Sequence, residues 1–149
     1  MKKWIFVLLA LIVLFSGCLS TQSAESDADK LVLKGVKFNT ELQPALETAK
    51  EQNKPVFVYV RSEYCGWCKR FEEETFTNQS VIKTLNENFI LVSIDVDIQK
   101  NETRSFRVRG TPTEIFLDSN GTEIKRIPGY TDNQTFLNVI NQIAKQKEA

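Results

Sequence analysis

The run Pro55-Val-Phe-Val-Tyr-Val60 constrains this chain more than any other stretch. Its unbroken series of β-branched and aromatic residues, set between Lys54 and Arg61, suits a strand buried on both faces. Such a strand needs helices above and below its sheet, so the fold class expected is α/β. The flanking segments supply the helices. "TELQPALETAKEQN" sets Leu42, Ala45, Leu46 and Ala49 at helical spacing behind Thr40, a candidate N-cap. A second helix is expected to open near Cys65 and run to about Thr75, with "SVIKTLNEN" as a further helical segment.

The remaining elements follow from the same periodicities. "LVLKGVKFN" reads as one short edge strand and "FILVSIDVD" as the next strand after the central one. "RSFRVRG" is a short amphipathic turn or helix ahead of Thr111-Pro112. "TEIFLDSNGTEIKRI" reads as a hairpin turning at Asn120-Gly121. A last helix from Gln134 to Lys145 aligns Phe136, Leu137, Ile140 and Ile143. The order β-α-β-α-β-α-β-β-α predicts a central mixed sheet, with a parallel pair from the strand-helix-strand half and a closing hairpin. Ten phenylalanines and a hydrophobic fraction of 42% suffice for its core, to which Phe71, Phe76, Phe89 and Phe116 are assigned.

Ahead of this domain, expected over residues 31–149, stand two different segments. "MKKWIFVLLALIVLFSGC" is basic at Lys2 and Lys3 and apolar from Trp4 to Phe15. That apolar run is shorter than the roughly 20 residues a membrane span needs, and it fits a signal-peptide core. Ser16 and Gly17 lead into Cys18 in a pattern that resembles the lipobox of prokaryotic lipoproteins, with Phe15 where that pattern usually has Leu. The resemblance implies an exported protein carrying a lipid on Cys18. Residues 19–30, polar and acidic, read as a tether.

Composition narrows the chemistry. Nineteen basic residues balance nineteen acidic ones, which leaves no electrostatic footprint for nucleic acid. The chain contains no histidine, so the commonest general base and the commonest metal ligand are both missing. With Cys18 taken by a lipid, Cys65 and Cys68 have only each other to pair with. Zinc normally takes four ligands, of which one Cys-x-x-Cys supplies two. A purely structural bridge over two residues closes a tiny loop and removes little unfolded-state entropy. The third possibility has a mechanism: at a helix start, free backbone N–H groups favour the thiolate of Cys65, and Cys68, three residues on, can attack a mixed disulfide formed there.

"PVFVYVRSEYCGWCKRFEEETF" followed by "VRGTPTEIFLDSNG" resembles thioredoxin-like proteins over about residues 31–145. The resemblance implies a thioredoxin-like fold and a thiol:disulfide oxidoreductase, with Cys65 the nucleophile and Cys68 the resolving thiol of a redox disulfide. It also implies a cis Thr111–Pro112 bond, with the backbone of Thr111 pairing to an extended substrate and Trp67 shaping the rim. "CKRFEEETF" is similar to the C-terminal domain of exported thiol:disulfide interchange reductases, which carry a Glu seven residues after the first Cys, here Glu72. Glu72 lies one turn past Cys68 and could accept its proton, or could belong with Glu73 and Glu74 to a solvated acidic face. Thioredoxins usually bury an Asp six residues before the first Cys, and this chain has Tyr59 there. Arg107 and Arg109 either form a solvated turn or favour acidic partners. The implied partners are protein thiols and disulfides, with a membrane electron donor and attachment to the membrane through the lipid. No cofactor or metal is implied, and a monomer is expected. A non-catalytic peptide-binding adaptor and a thiol-based metal carrier are the alternative readings.

Overall fold

The computed structural model describes residues 30–146. The expectations for the leader, for Cys18 and for the tether as far as residue 29 lie outside the described residues. Six strands form one sheet in the order β1-β2-β4-β3-β5-β6. They are β1 (Lys30–Leu33), β2 (Val36–Asn39), β3 (Val56–Arg61), β4 (Ile90–Asp95), β5 (Thr113–Leu117) and β6 (Glu123–Pro128). The helices among the described residues are α1 (Leu42–Gln52), α2 (Gly66–Thr75), α3 (Gln79–Asn88), α4 (Lys100–Ser105) and α5 (Asn133–Gln146). β3 runs parallel to β4 and antiparallel to β5, so the sheet is mixed, with its most apolar strand near the centre.

Strand alternation sorts β3 into two sets. Val56, Val58 and Val60 pack with Ala45 and Ala49 of α1 on one face. Phe57 and Tyr59 point to the other, where α2, α3 and α5 cover the sheet with Phe71, Val81, Leu85, Phe136 and Ile140. The four phenylalanines assigned to the core, Phe71, Phe76, Phe89 and Phe116, are all buried there.

Three local expectations differ from the structure. "LVLKGVKFN" is two antiparallel strands rather than one, because Lys34 and Gly35 both take positive φ (49° and 89°) and turn the chain between Leu33 and Val36. Two consecutive left-handed residues make the tight turn whose twist matches a hairpin. Lys30 is the first residue of that hairpin. Thr40 does not cap α1. Glu41 holds the cap position with no side-chain bond, while the Thr40 carbonyl accepts from Gln99 Nε2 at 2.6 Å and ties the start of α1 to α4. Finally, the short helix before Pro112 starts upstream of "RSFRVRG" and takes in only its first two residues, Arg104 and Ser105. It ends where Arg107 turns left-handed (φ 52°), and Val108 N–H closes back on the Thr103 carbonyl at 3.1 Å.

Candidate active site

β3 delivers its last residue, Arg61, to a short turn that ends at Cys65. Cys65 is the N-cap of α2, with an extended backbone (φ −85°, ψ 106°). Its own N–H donates to the Ser62 carbonyl at 3.2 Å, which holds the turn. The Cys65 Sγ accepts the backbone N–H of Cys68 at 3.0 Å and is bonded to the Cys68 sulfur as a disulfide. One of the unpaired donors at the start of α2 therefore points at this sulfur, and a Cys65 thiolate gains both that bond and the positive end of the helix dipole. The two sulfurs differ in access. Cys65 is half-buried behind exposed Glu63, Tyr64, Gly66 and Trp67, while Cys68 is fully buried within the aromatic side of the core.

Beneath Cys68 lies a polar cluster. The Tyr59 hydroxyl donates to the Cys68 carbonyl at 3.3 Å and to Glu72 Oε1 at 3.2 Å. Arg61 Nε donates to the same Glu72 oxygen at 2.9 Å, and its Nη1 reaches Asp95 Oδ2 at 3.4 Å. Glu72 is only 6% exposed, whereas Glu73 lies in solvent, so the Glu72–Glu74 triplet is not one solvated face. Burial, and then the Glu72 carboxylate, push the Tyr59 hydroxyl well above the ordinary phenol value, so it acts as a donor at any physiological pH.

The second wall comes from β5. Thr113 pairs with Val60, so Thr111 and Pro112, joined by a cis bond, stand beside the end of β3 where the cysteine turn begins. Pro112 is buried, its carbonyl accepting from Gly129 N–H at 2.9 Å, and Thr111 is half-buried. Past Gly129, Tyr130 completes a rim with Trp67, which is 57% exposed. The Arg70 guanidinium lies 5.5 Å from the Trp67 ring centre and 5.1 Å from that of Tyr130. Glu74 accepts from Arg70 Nε at 2.9 Å and from the Tyr130 hydroxyl. The Tyr130 bond, followed by the Arg70 bond, holds the Glu74 carboxyl below the usual carboxylate range. On the other side of Thr111, a groove of about 340 Å³ is lined in part by Arg107, Arg109 and Arg126.

Residues 42–144 match the family model described as a thioredoxin-like domain. The chain belongs to the thioredoxin-like family. The thiol:disulfide interchange protein DsbD of Actinobacillus pleuropneumoniae is 33% identical to it over 132 residues, which cover 83% of this chain and 22% of that protein. Mouse spermatogenesis-associated protein 20 is 47% identical over 53 residues, 36% of this chain and 7% of its own length. Among solved structures, a thioredoxin from Thermus thermophilus superposes with a TM-score of 0.64 at 27% identity, covering 72% of this chain and 87% of its own. This thioredoxin-like chain thus spans about a fifth of the length of the DsbD relative. Among the described residues no helix is long and apolar enough to cross a membrane, and no group of three or more Cys, Asp or Glu side chains gathers as a metal site.

Cys65 and Cys68 are joined as a disulfide, Glu72 shares the Tyr59 hydroxyl with the Cys68 carbonyl, Thr111 and Pro112 stand beside the end of β3, and Trp67 is exposed on the rim. Sequence reasoning did not find Arg61, Arg70, Tyr130 or Glu114. Arg61 and Tyr130 act on residues far along the chain and leave no local pattern, whereas the i,i+4 spacing of Arg70 and Glu74 was a local signal. Glu114 did leave a signal: a lone carboxylate interrupts the apolar run of β5.

Proposed function

We propose that this protein is an exported thiol:disulfide oxidoreductase that reduces disulfides in protein substrates. The unequal access of its two sulfurs carries the reading, with Cys65 reachable at a helix N-terminus and Cys68 buried one turn inside. A Cys65 thiolate attacks a substrate disulfide, forming a mixed disulfide and releasing one substrate thiolate. Cys68 then loses its proton and attacks the Cys65 sulfur, which releases the second substrate thiolate and restores the Cys65–Cys68 disulfide. Two electrons pass to the substrate, and a membrane electron donor returns them. The Thr111 backbone pairs with the extended substrate beside Pro112, and Trp67 borders it. Glu72 anchors the polar cluster under Cys68 through Tyr59 and Arg61.

The reducing direction rests on the similarity of residues 68–76 to the reducing domains named above. Residues 1–18 act as a signal peptide, the lipid on Cys18 holds the protein to the membrane surface on its extracytoplasmic side, and the tether expected over residues 19–30 lets the domain reach its donor and its substrates.

Two measurements test this. Cys68→Ser should accumulate mixed disulfides with extracytoplasmic proteins that dithiothreitol releases, and Cys65→Ser should accumulate none. Association that survives both substitutions and dithiothreitol would replace the enzyme with an adaptor. Equilibration with dithiothreitol or glutathione should give a potential near the thioredoxin end of the family range, roughly −270 mV, whereas one near roughly −120 mV reverses the direction.

A further inference from the structure

Glu114 is fully buried, and neither of its carboxyl oxygens has a hydrogen-bond partner. A buried carboxyl left without partners is costly and calls for an explanation. Its place in the sheet supplies one. In β5 it stands directly opposite Tyr59 of β3, and Tyr59 is in turn opposite Ser93 of β4, whose buried hydroxyl is also unpartnered. Residues opposite one another share a face. Ser93, Tyr59 and Glu114 therefore form a polar row across an otherwise aromatic surface, under the helix that carries Cys68. Tyr59 is the link, because its hydroxyl contacts the Cys68 carbonyl and Glu72.

Glu72 is the neighbouring carboxylate one would first assign to proton handling, yet its Oε1 already accepts from both Tyr59 and Arg61. Glu114 has no such commitment. We infer that Glu114 is the buried proton store of the dithiol, a positioning residue that takes up the proton Cys68 loses when it attacks the mixed disulfide and later returns it to water. The inference rests on the reading of Cys65–Cys68 as a working pair.

The proton balance is simple. Cys68 thiol and Glu114 carboxylate become Cys68 thiolate and Glu114 carboxylic acid. The thiolate then forms its bond to the Cys65 sulfur, and the substrate thiolate leaves with the bonding pair. Run backwards, protonated Glu114 neutralises the Cys68 thiolate released when the disulfide is reduced. The proton transfer moves one negative charge from Glu114 to Cys68 without adding a second to the low-dielectric cluster, and that charge then leaves with the substrate thiolate.

The surroundings suit a carboxyl that changes protonation near neutrality. Burial pushes it up to about 8. From β3 it faces Tyr59, with Arg61 beyond. α2 contributes Glu72 and the cysteines, and β4 the neutral Ser93. β6 sets the apolar Ile127 opposite, with Lys125 exposed two residues away. The titratable side chains on α3 are Lys83 and Glu87, both exposed, and on α5 only Lys145, at the far end. None of these cations bonds to Glu114 to hold it ionised.

The test uses the reduced full-length protein and a coloured aryl disulfide. The first aryl thiolate appears as Cys65 reacts, the second as Cys68 resolves the adduct. In the wild type the second rate should rise with pH through an inflection near pH 8. Glu114→Gln keeps the shape and removes the proton site; it should abolish that inflection and slow the second release by roughly tenfold to a hundredfold, at or below the range for a positioned acid–base group. Glu114→Asp should restore part of both. Urea unfolding of each variant establishes that the fold is retained. An unchanged inflection and rate in folded Glu114→Gln overturns the inference. Failure of the wild type to release a second aryl thiolate overturns instead the role of Cys68, so the two failures are separable.

Discussion

The two faces of the sheet are built from alternate residues of the same strands, yet they do different work. The face under α1 is aliphatic: Val56, Val58, Val60, Val92, Ile94, Ile115 and Leu117 close against Ala45 and Ala49. It buries no charged side chain, and the hydroxyl of Thr113 at its edge is satisfied by the Gly110 carbonyl at 2.8 Å. The opposite face is aromatic, with Phe57 and Phe116 stacked at 5.2 Å and Tyr59 edge-on to Phe76 at 5.3 Å. Buried among those rings are Tyr59, Glu72, Ser93 and Glu114. Small alanines let a helix approach β-branched residues closely, which leaves no room for polar groups or water. The aromatic face, by contrast, also buries hydroxyl and carboxyl groups. Both faces are packed, and the buried ionisable side chains are confined to the aromatic one.

The largest effect should come from packing. Phe57→Ala removes a ring that neighbours five others and should cost about 4 kcal/mol, while Val58→Ala, its neighbour on the aliphatic face, should cost about 2 kcal/mol. Urea unfolding measures both, and equal losses would erase the difference in payload between the faces. The second effect is specific to the chemical face. Burial raises Glu114 in the folded state to about 8, above its unfolded value, so the fold binds this proton more tightly. Its stabilising contribution is complete below the ordinary carboxylate range and is lost as pH rises toward 8 and above. A loss of a few kcal/mol is expected across that window, from a shift worth about 1.4 kcal/mol per unit. Glu114→Gln should flatten the stability profile, and Val58→Ala should leave its slope alone; a slope that survives Glu114→Gln assigns it elsewhere. The smallest effect lies on the exposed rim. Tyr130→Phe deletes the bond that most lowers Glu74, whose carboxyl should move up toward its ordinary value in an NMR titration while unfolding stays unchanged. A Glu74 that does not move would shift its control to Arg70.

How much was legible before the structure depends on distance along the chain. The Cys65–Cys68 spacing is a local property: three residues are one helical turn, so a cap position and a buried position follow once the strand ends at Arg61. The apolar run of β3 and the periodicity of α1, α2, α3 and α5 are local as well, and they specify an α/β chain with a mixed sheet. The turn at Lys34-Gly35 and the stop at Arg107 escaped notice because Lys and Arg only rarely turn left-handed. Thr40 lies one residue outside the cap position, which Glu41 holds, and its carbonyl is bound by a distant side chain, Gln99. Glu72 illustrates the boundary most clearly. Its spacing from Cys68 sets it on the correct helical face, but only the pairing of β3 with β4 brings Arg61 and Asp95 together beside it. The row of Ser93, Tyr59 and Glu114 joins three strands separated by dozens of residues, and no periodicity within any one of them reports which neighbours the sheet will supply. Local sequence determined the elements and the nucleophile's position; strand register, a property of the whole chain, decided which polar groups would be buried beneath it.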